Sequence, residues 1–301
     1  MGALDDRVAI ITGAGRGLGR EHALLFAAEG ARVVVNDLGG GPDGSGSDAT
    51  PAEQVVAEIR AAGGQAVANS DDITTADGAD RLVEQAIAEF GALHVLVNNA
   101  GILRDRMIVN MTDGEWDDVI RVHLRGHFMP LRAAARYWRE QSKAGNQLRP
   151  SLINTTSTSG LYNNPGQANY GAAKTGIATL TIIAQRELQR YGVKVNAIAP
   201  AARTRLTLAT PGISESILTT PDEGFDPMDP ANVSPFVAYL ATADCPIQGR
   251  IFFVAGSGIH LFQPFAIIDS VTKDGKWTVE ELATQAARLA DVPFDLGQPQ
   301  L

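Results

Sequence analysis

A single cysteine, Cys245, stands among 301 residues. No intrachain disulfide can form, so packing and hydrogen bonds must hold the fold without help from an oxidising compartment. No apolar run approaches the roughly 20 residues that a membrane helix needs. The opening residues carry Asp5, Asp6 and Arg7, with no apolar stretch of the secretory kind. The closing Gln298-Pro299-Gln300-Leu301 matches no known targeting tripeptide, and a cytoplasmic location is the expectation. Positive charge is also scarce: 25 Lys and Arg face 34 Asp and Glu, a formal net charge of -9. An acidic surface argues against nonspecific binding of nucleic acid and against docking on anionic lipid, while leaving room for a local basic patch. Of the 5 histidines, His123 and His127 are spaced i,i+4. No glutamate follows His123 as a metalloprotease pair requires and Gly126 lies between them, so no metal is expected.

What is present is the composition of a globular core, 45% hydrophobic and 20% charged. Short β-branched runs at Val8–Thr12, Val33–Asn36, Ala66–Asn69, Val95–Asn98, Leu152–Thr156, Val193–Ala199 and Ile251–Val254 are apolar at successive positions. That pattern suits parallel strands covered on both faces. Helical patterns at about 18–29, 51–62, 75–90, 113–141, 167–191 and 231–242 alternate with them. The expectation is an α/β fold of Rossmann type: a doubly wound, seven-stranded parallel sheet with helices on both faces, in a single domain over 1–301. Gly39–Thr50, rich in Gly, Ser and Asp, reads as a flexible surface loop. Residues 201–230 follow a strand's carboxyl end, where ligands bind in such sheets, and read as a substrate lid. A C-terminal extension is expected from about 255 to 301.

The first strand runs into Thr12-Gly13-Ala14-Gly15-Arg16-Gly17-Leu18-Gly19. Glycines at 13, 17 and 19 allow a tight turn, close approach of backbone to a pyrophosphate, and close helix packing, and the helix N-terminus offers free N–H groups. A glycine cluster alone is weak; between the first strand and helix of a βαβ unit it is strong. Strand two ends in Asn36-Asp37. A carboxylate there can accept hydrogen bonds from ribose hydroxyls and would repel a 2′-phosphate, by about 1 to 4 kcal/mol for a pair near 4 Å. That favours NAD over NADP, although Arg16 pulls the other way.

Tyr170 and Lys174 lie one helical turn apart, with Ser157 upstream at a strand end. A phenol is a poor base at neutral pH, and a neighbouring ammonium favours the phenolate. Tyr170 is therefore the expected acid/base, with Lys174 lowering its pKa and Ser157 holding the substrate oxygen. The Tyr-x-x-x-Lys pair by itself is common on helices; its meaning comes from the glycine loop and from Asn98-Asn99-Ala100-Gly101 in the same chain.

These motifs, TGxxxGxG, NNAG, the strand-end Ser and YxxxK, stand in the order of the short-chain dehydrogenase/reductase family, which the chain resembles over nearly its whole length. The resemblance implies catalytic roles for Ser157, Tyr170 and Lys174. It also implies cofactor contacts at Leu18, Asp37-Leu38, Asp72-Ile73, Asn99-Ala100-Gly101, Tyr170, Lys174 and the backbone around Ala202–Arg205, Thr204 included. His123 occupies the place of the family's usual Asn, which makes it an auxiliary catalytic candidate, and Pro200-Ala201 replaces Pro-Gly. The strings Val33–Gly40, Gly101–Arg106, Arg121–Gly126 and Gly166–Tyr170 resemble one subgroup, the (3R)-hydroxyacyl-CoA dehydrogenase regions of peroxisomal multifunctional enzymes. That subgroup implies NAD-dependent oxidation of a 3-hydroxyacyl-CoA. Arg104, Arg106, Arg203 and Arg205 are then candidates for the CoA phosphates, although for each of them a solvated or structural arginine is the simpler reading from sequence. An NADPH-dependent 3-oxoacyl-carrier-protein reductase and a hydroxysteroid or alcohol dehydrogenase stay open, because fold does not set substrate. The family resemblance also implies a homodimer or homotetramer.

Overall fold

The computed structural model describes residues 2–41, 43–208, 219–221, 223–263 and 265–292. Two compact units divide the chain, Met1–Leu261 and Phe262–Leu301. In the first, β1 (Val8–Thr12), β2 (Arg32–Asn36), β3 (Gln65–Asn69), β4 (Val95–Asn98), β5 (Ser151–Thr155), β6 (Lys194–Ala201), β7 (Ile251–Ala255) and β8 (Gly258–Leu261) form one sheet in the order β3-β2-β1-β4-β5-β6-β7-β8. β1 pairs in parallel with β2 on one side and with β4 on the other, Ile10 opposite Val34 and Leu96. The order in which the chain adds its strands reverses between β1 and β4, which opens a crevice at the strands' carboxyl ends.

The strands' unbroken apolar runs split by period two between two cores. Ala9, Ile11, Val33 and Val35 pack under α1 (Gly17–Ala28), α2 (Thr50–Ala61) and α9 (Ser234–Ala241), with Phe26, Val55, Ile59 and Val237. Val8, Ile10, Val34 and Leu96 pack under α3 (Ala76–Phe90), α5 (Gly126–Lys143) and α7 (Ala168–Leu188), with Leu82, Trp138 and Leu188. Each large side chain so buried contributes roughly 1.5–3 kcal/mol, which is why both faces are coated with helices. Local signals set the helix ends. Thr75 caps α3 by accepting from Gly78 N, and Gly91 ends it at φ 83°. Thr112 and Glu115 form a capping box at the start of α4 (Asp113–Ile120).

Two elements differ from expectation. The sheet has an eighth strand rather than seven, and β8 is antiparallel to β7, with Val254 opposite Ile259. It is four residues long, mostly exposed, and follows a tight turn at Gly256 with φ 52°, so its sequence carries no buried run. The expected helix over 113–141 is α4 and α5 joined by a π-turn at Arg121–Arg125. The extra residue in that turn carries His123 inward to the backbone of Ile102. α6 (Thr158–Leu161) and α8 (Arg205–Leu208) are single turns. Of the expected lid, 209–218 and 222 lie outside the described residues. Its described flanks are tied by Arg203, which donates to Asp226 at 2.6 and 3.2 Å.

The second unit contains α10 (Val279–Gln285), capped by Thr278 and Glu281, with ion pairs Lys273–Glu281 at 2.6 Å and Arg288–Asp269 at 2.7 Å. Among the described residues no helix is long and apolar enough to cross a membrane, and no cluster of metal-ligating side chains occurs.

Candidate active site

The crevice beside β1 is a cleft of about 520 Å³. Gly13, Arg16, Gly17, Leu18, Asp37, Leu38, Asp72, Ile73, Asn99, Ala100, Gly101 and Thr204 all line it, which brings together twelve residues drawn from loops across the chain. The glycines are there because side chains cannot be. At φ 64°, Gly13 would set a Cβ 2.6 Å from the Ala100 Cα; Gly17 turns at φ 54° where the chain enters α1. Gly19 does not face the cleft. A Cβ there would lie 2.6 Å from the Asn99 Nδ2, so Gly19 lets α1 close on the strands below. Ala202 is buried and likewise does not line the cleft.

Hydrogen bonds between side chain and backbone hold this cradle. The Thr12 hydroxyl accepts from the N–H groups of Asn99 and Ala100 at 3.0 and 3.2 Å, and the Asn99 amide donates back to the carbonyls of Thr12 and Gly13. Asn98 Nδ2 donates to Asn154 Oδ1 at 3.0 Å, and Asn154 Nδ2 to the Thr181 hydroxyl at 3.0 Å. A fully buried polar chain thus links β4, β5 and α7, and such a chain tolerates no slippage of register.

At the other end of the cleft the Asp37 carboxylate accepts from Gly15 N at 2.8 Å and Gly39 N at 2.7 Å. Each oxygen keeps lone-pair capacity toward the cleft. The segment after it is exposed over residues 43–50, as a surface loop should be, yet it is internally bonded. It folds on itself through Gly41 N to Ser45 O at 2.7 Å and Asp48 N to Leu38 O at 3.0 Å. Gly40, Gly41 and Gly44 line the cleft, and Asp43 meets Arg104 at 3.4 Å. Glycine-rich composition is the same for a loose loop and for one that must lie close to a ligand, so sequence could not separate them.

Ser157, Tyr170 and Lys174 converge beyond the ends of β5 and on α7. Ser157, two residues past β5, lies near enough to Tyr170 to oppose the rise of its phenol, and caps α6 by accepting from Ser159 N at 3.1 Å. Lys174 is buried and donates from Nζ to Thr155 O at 2.7 Å, 5.5 Å from the Tyr170 ring centre. The Thr156 hydroxyl donates to Lys174 O at 2.6 Å, pinning α7 to the strand end. These three do not line the 520 Å³ cleft; they reach its wall through His123. The His123 ring stands edge-on to Tyr170 with centres 5.0 Å apart and lies against Gly101, where a Cβ would strike it. Its Nε2 is 2.7 Å from Ile102 O, the shorter of its two contacts with that residue, which assigns Nε2–H as donor.

The electrostatics run against the expectation for Tyr170. Burial pushes its phenol up to about 12, with Ser157 opposing that rise and the Asp105 charge adding to it. Lys174 does not lower it in the protein alone, because burial pushes the amine itself down to about 7 and withdraws much of its positive charge. Burial likewise holds His123 well below the usual imidazole range and His127 down to about 3, so both rings are neutral at pH 7. Of the arginines considered for phosphates, Arg104 meets Asp43 and Asp118, Arg106 meets Glu115 at 3.0 Å, and Arg203 meets Asp226. Only Arg205 of the four lines the cleft without such an acid partner, near Arg16 and Asp37.

A parallel sheet with a glycine cradle at its switch point and a Ser, Tyr and Lys cluster beside it defines a dinucleotide-dependent oxidoreductase. Residues 7–210 match the family described as short chain dehydrogenase, and the chain belongs to that family. It is similar to hydroxyacyl-CoA dehydrogenase ChsB1 of Mycobacterium tuberculosis, 44% identical over 93% of this chain and 87% of that one. It is also similar to peroxisomal multifunctional enzyme type 2 of Mus musculus, 42% identical over 85% of this chain but only 32% of that longer protein. A crystal structure of a short chain dehydrogenase from Mycobacterium avium superposes with a TM-score of 0.84, at 48% identity, covering 97% of this chain and 95% of that one.

Proposed function

We propose that the protein interconverts a 3-hydroxyacyl-CoA and the 3-oxoacyl-CoA with NAD. The observation that carries this reading is the convergence of Ser157, Tyr170 and Lys174 next to the wall formed by Gly101 and Ile102. The fit to a dinucleotide rests on the cradle that a Cβ at Gly13 would fill and on the carboxylate of Asp37 at the opposite end. Gly13 to Leu18 would hold the pyrophosphate, Asp37 the adenosine ribose, Asp72 and Ile73 the adenine, and Asn99 to Gly101, Lys174 and Thr204 the nicotinamide half. When bound, the nicotinamide supplies a hydride acceptor or donor.

The chain's own groups then handle the proton. Ser157 donates to the substrate oxygen and orients it toward Tyr170. In oxidation Tyr170 takes the hydroxyl proton as the carbinol C–H bond breaks; in reduction it returns a proton to the forming alkoxide. Lys174 fixes the ribose and, with the charge of an oxidised ring nearby, favours the phenolate. His123 keeps Tyr170 in place from the side. The partner is a small molecule, and the outer sides of α5 and α7 are the proposed surfaces of a homodimer or homotetramer.

Relatives named for hydroxyacyl-CoA chemistry support the substrate class. The test is NAD reduction against both enantiomers of 3-hydroxyacyl-CoAs of graded chain length. Turnover of one enantiomer is expected; inertness toward every thioester, with turnover of a steroid or simple alcohol, overturns the substrate. One observation favours a second reading, an NADPH-dependent 3-oxoacyl-carrier-protein reductase. Arg205 and Arg16 are close enough to repel one another beside Asp37, a pairing that a 2′-phosphate would relieve. Comparing kcat/KM for NADH and NADPH separates the two.

A further inference from the structure

A relay of side-chain amides runs from α3 to the cofactor end of the cleft. Gln85 Nε2 donates to Ala68 O at 3.1 Å, which turns the Gln85 Oε1 toward Asn69. Asn69 Nδ2 donates to that oxygen at 2.7 Å and to Asp71 Oδ2 at 2.8 Å. Its Oδ1 therefore faces the other way and accepts from Asp71 N at 3.0 Å. Asn36 stands opposite Asn69 in the pairing of β2 with β3. The Asn36 Nδ2 donates to Asn69 Oδ1 at 2.7 Å and to Asp71 O at 3.1 Å. Each amide has one orientation that satisfies its neighbours, and the series starts from a backbone carbonyl, which can only accept. It ends on Asn36 Oδ1, which no donor meets among the described residues. Asn36 lines the cleft although it is only 2% exposed. A buried amide with both N–H bonds engaged and its oxygen unpartnered at a cleft wall is suited to accept from a ligand.

We propose that Asn36 is a further cofactor-recognition residue: its Oδ1, oriented by the relay from Gln85, accepts a hydrogen bond from the exocyclic amino group of the adenine base. This deepens the function above and rests on the cleft holding a dinucleotide. The base falls to Asn36, and the ribose to Asp37, because of where each is tied. The Asp37 carboxylate is held by Gly15 N and Gly39 N, on the side of the glycine cradle. Asn36 is tied instead to Asp71 O, the carbonyl that leads into Asp72. Asp72 also lines the cleft, and its Oδ1 accepts from Thr74 N at 2.8 Å, so its Oδ2 adds acceptor capacity to the same wall. An amino group on the base meets acceptors there. A carbonyl in its place meets only like partners, and the unmade bonds count against it. The relay thus selects an amino-bearing base over its deaminated counterpart, and two of its members, Asn69 and Gln85, do so from outside the cleft lining.

The test compares NADH with its hypoxanthine analogue, in which an oxygen replaces the amino group, by fluorescence titration of the full chain. The wild type should bind NADH about tenfold more tightly or better. Asn36→Leu removes the acceptor and keeps the bulk, so the two Kd values should converge to within about threefold. Gln85→Met breaks the relay at its far end and frees Asn69 and Asn36 to turn, so the ratio should fall to an intermediate value. Each variant is checked for its thermal transition. A merely structural role for these amides would weaken both dinucleotides alike and leave the ratio where it was. Equal affinities in the wild type, or an undiminished ratio in whichever of the two variants folds, overturns the proposal. Binding of neither dinucleotide by the wild type overturns instead the reading of the cleft on which it rests.

Discussion

The cofactor end and the catalytic end of the crevice are built on opposite principles. Around Gly13, Gly17 and Gly19 the chain works by omission. Side chains are missing where backbone must approach backbone or ligand, and the side chains of Thr12 and Asn99 lock the resulting loops by hydrogen bonds to backbone groups. Around Tyr170 it works by enclosure. Lys174, His123 and the phenol are buried together, and burial pushes each toward its neutral form. The first region is complete before a ligand arrives. The second holds its proton firmly in the protein alone, and under the proposed mechanism the charge of a bound cofactor would release it.

Substitutions that act on one end only sharpen this contrast. The largest effect is expected from Tyr170→Phe, which removes the proton-transfer hydroxyl. Turnover should fall by about 10²–10⁴-fold while the Kd for NAD, measured by fluorescence titration, stays within a few-fold. Near-normal turnover would remove the distinction between the ends. Next comes Gly13→Ala. The added Cβ meets the Ala100 backbone and the residue must hold a positive φ, so NAD affinity should collapse together with roughly 1–3 kcal/mol of stability, read by denaturant unfolding. Asp37→Ala removes the charge that opposes a 2′-phosphate. The ratio of kcat/KM for NADP over NAD should rise about tenfold or more, within the 1 to 4 kcal/mol of one close charge pair; an unchanged ratio would assign selectivity to Arg16 and Arg205 instead. The smallest effect is expected from His123→Asn. It keeps a donor for Ile102 but loses the ring against Tyr170, so kcat should drop less than about tenfold with KM for NAD unchanged, a loss of about 1 kcal/mol in transition-state positioning.

The same contrast explains what could be read from sequence. The glycine positions, Asp37 and the strand ends obey local rules, so the cleft could be assembled in advance from Val8–Gly19, Val33–Asp37 and Asn98–Gly101. The catalytic residues were legible as a pattern but their energetics were not. Spacing on a helix shows that Lys174 neighbours Tyr170; it does not show that Lys174 Nζ is spent on the Thr155 carbonyl and is itself discharged by burial. Asn36 was legible only as the residue ahead of Asp37, for a related reason. The orientation of its amide is set by Asn69, Asp71 and Gln85, which only the fold brings together. β8 and the π-turn at Arg121–Arg125 escaped because each is set by tertiary contacts, to β7 and to Ile102, and not by its own periodicity.

The central claim is that enclosure holds the Tyr170 proton and the bound cofactor loosens it. The direct measurement is the ultraviolet phenolate titration of wild type minus Tyr170→Phe, without and with saturating NAD. Without NAD the difference signal should stay protonated until the pH nears about 12; with NAD its midpoint should fall by at least one unit, since an added positive charge favours the anion. The same midpoint in both titrations, or a phenolate already formed near neutral pH in the free protein, would contradict it.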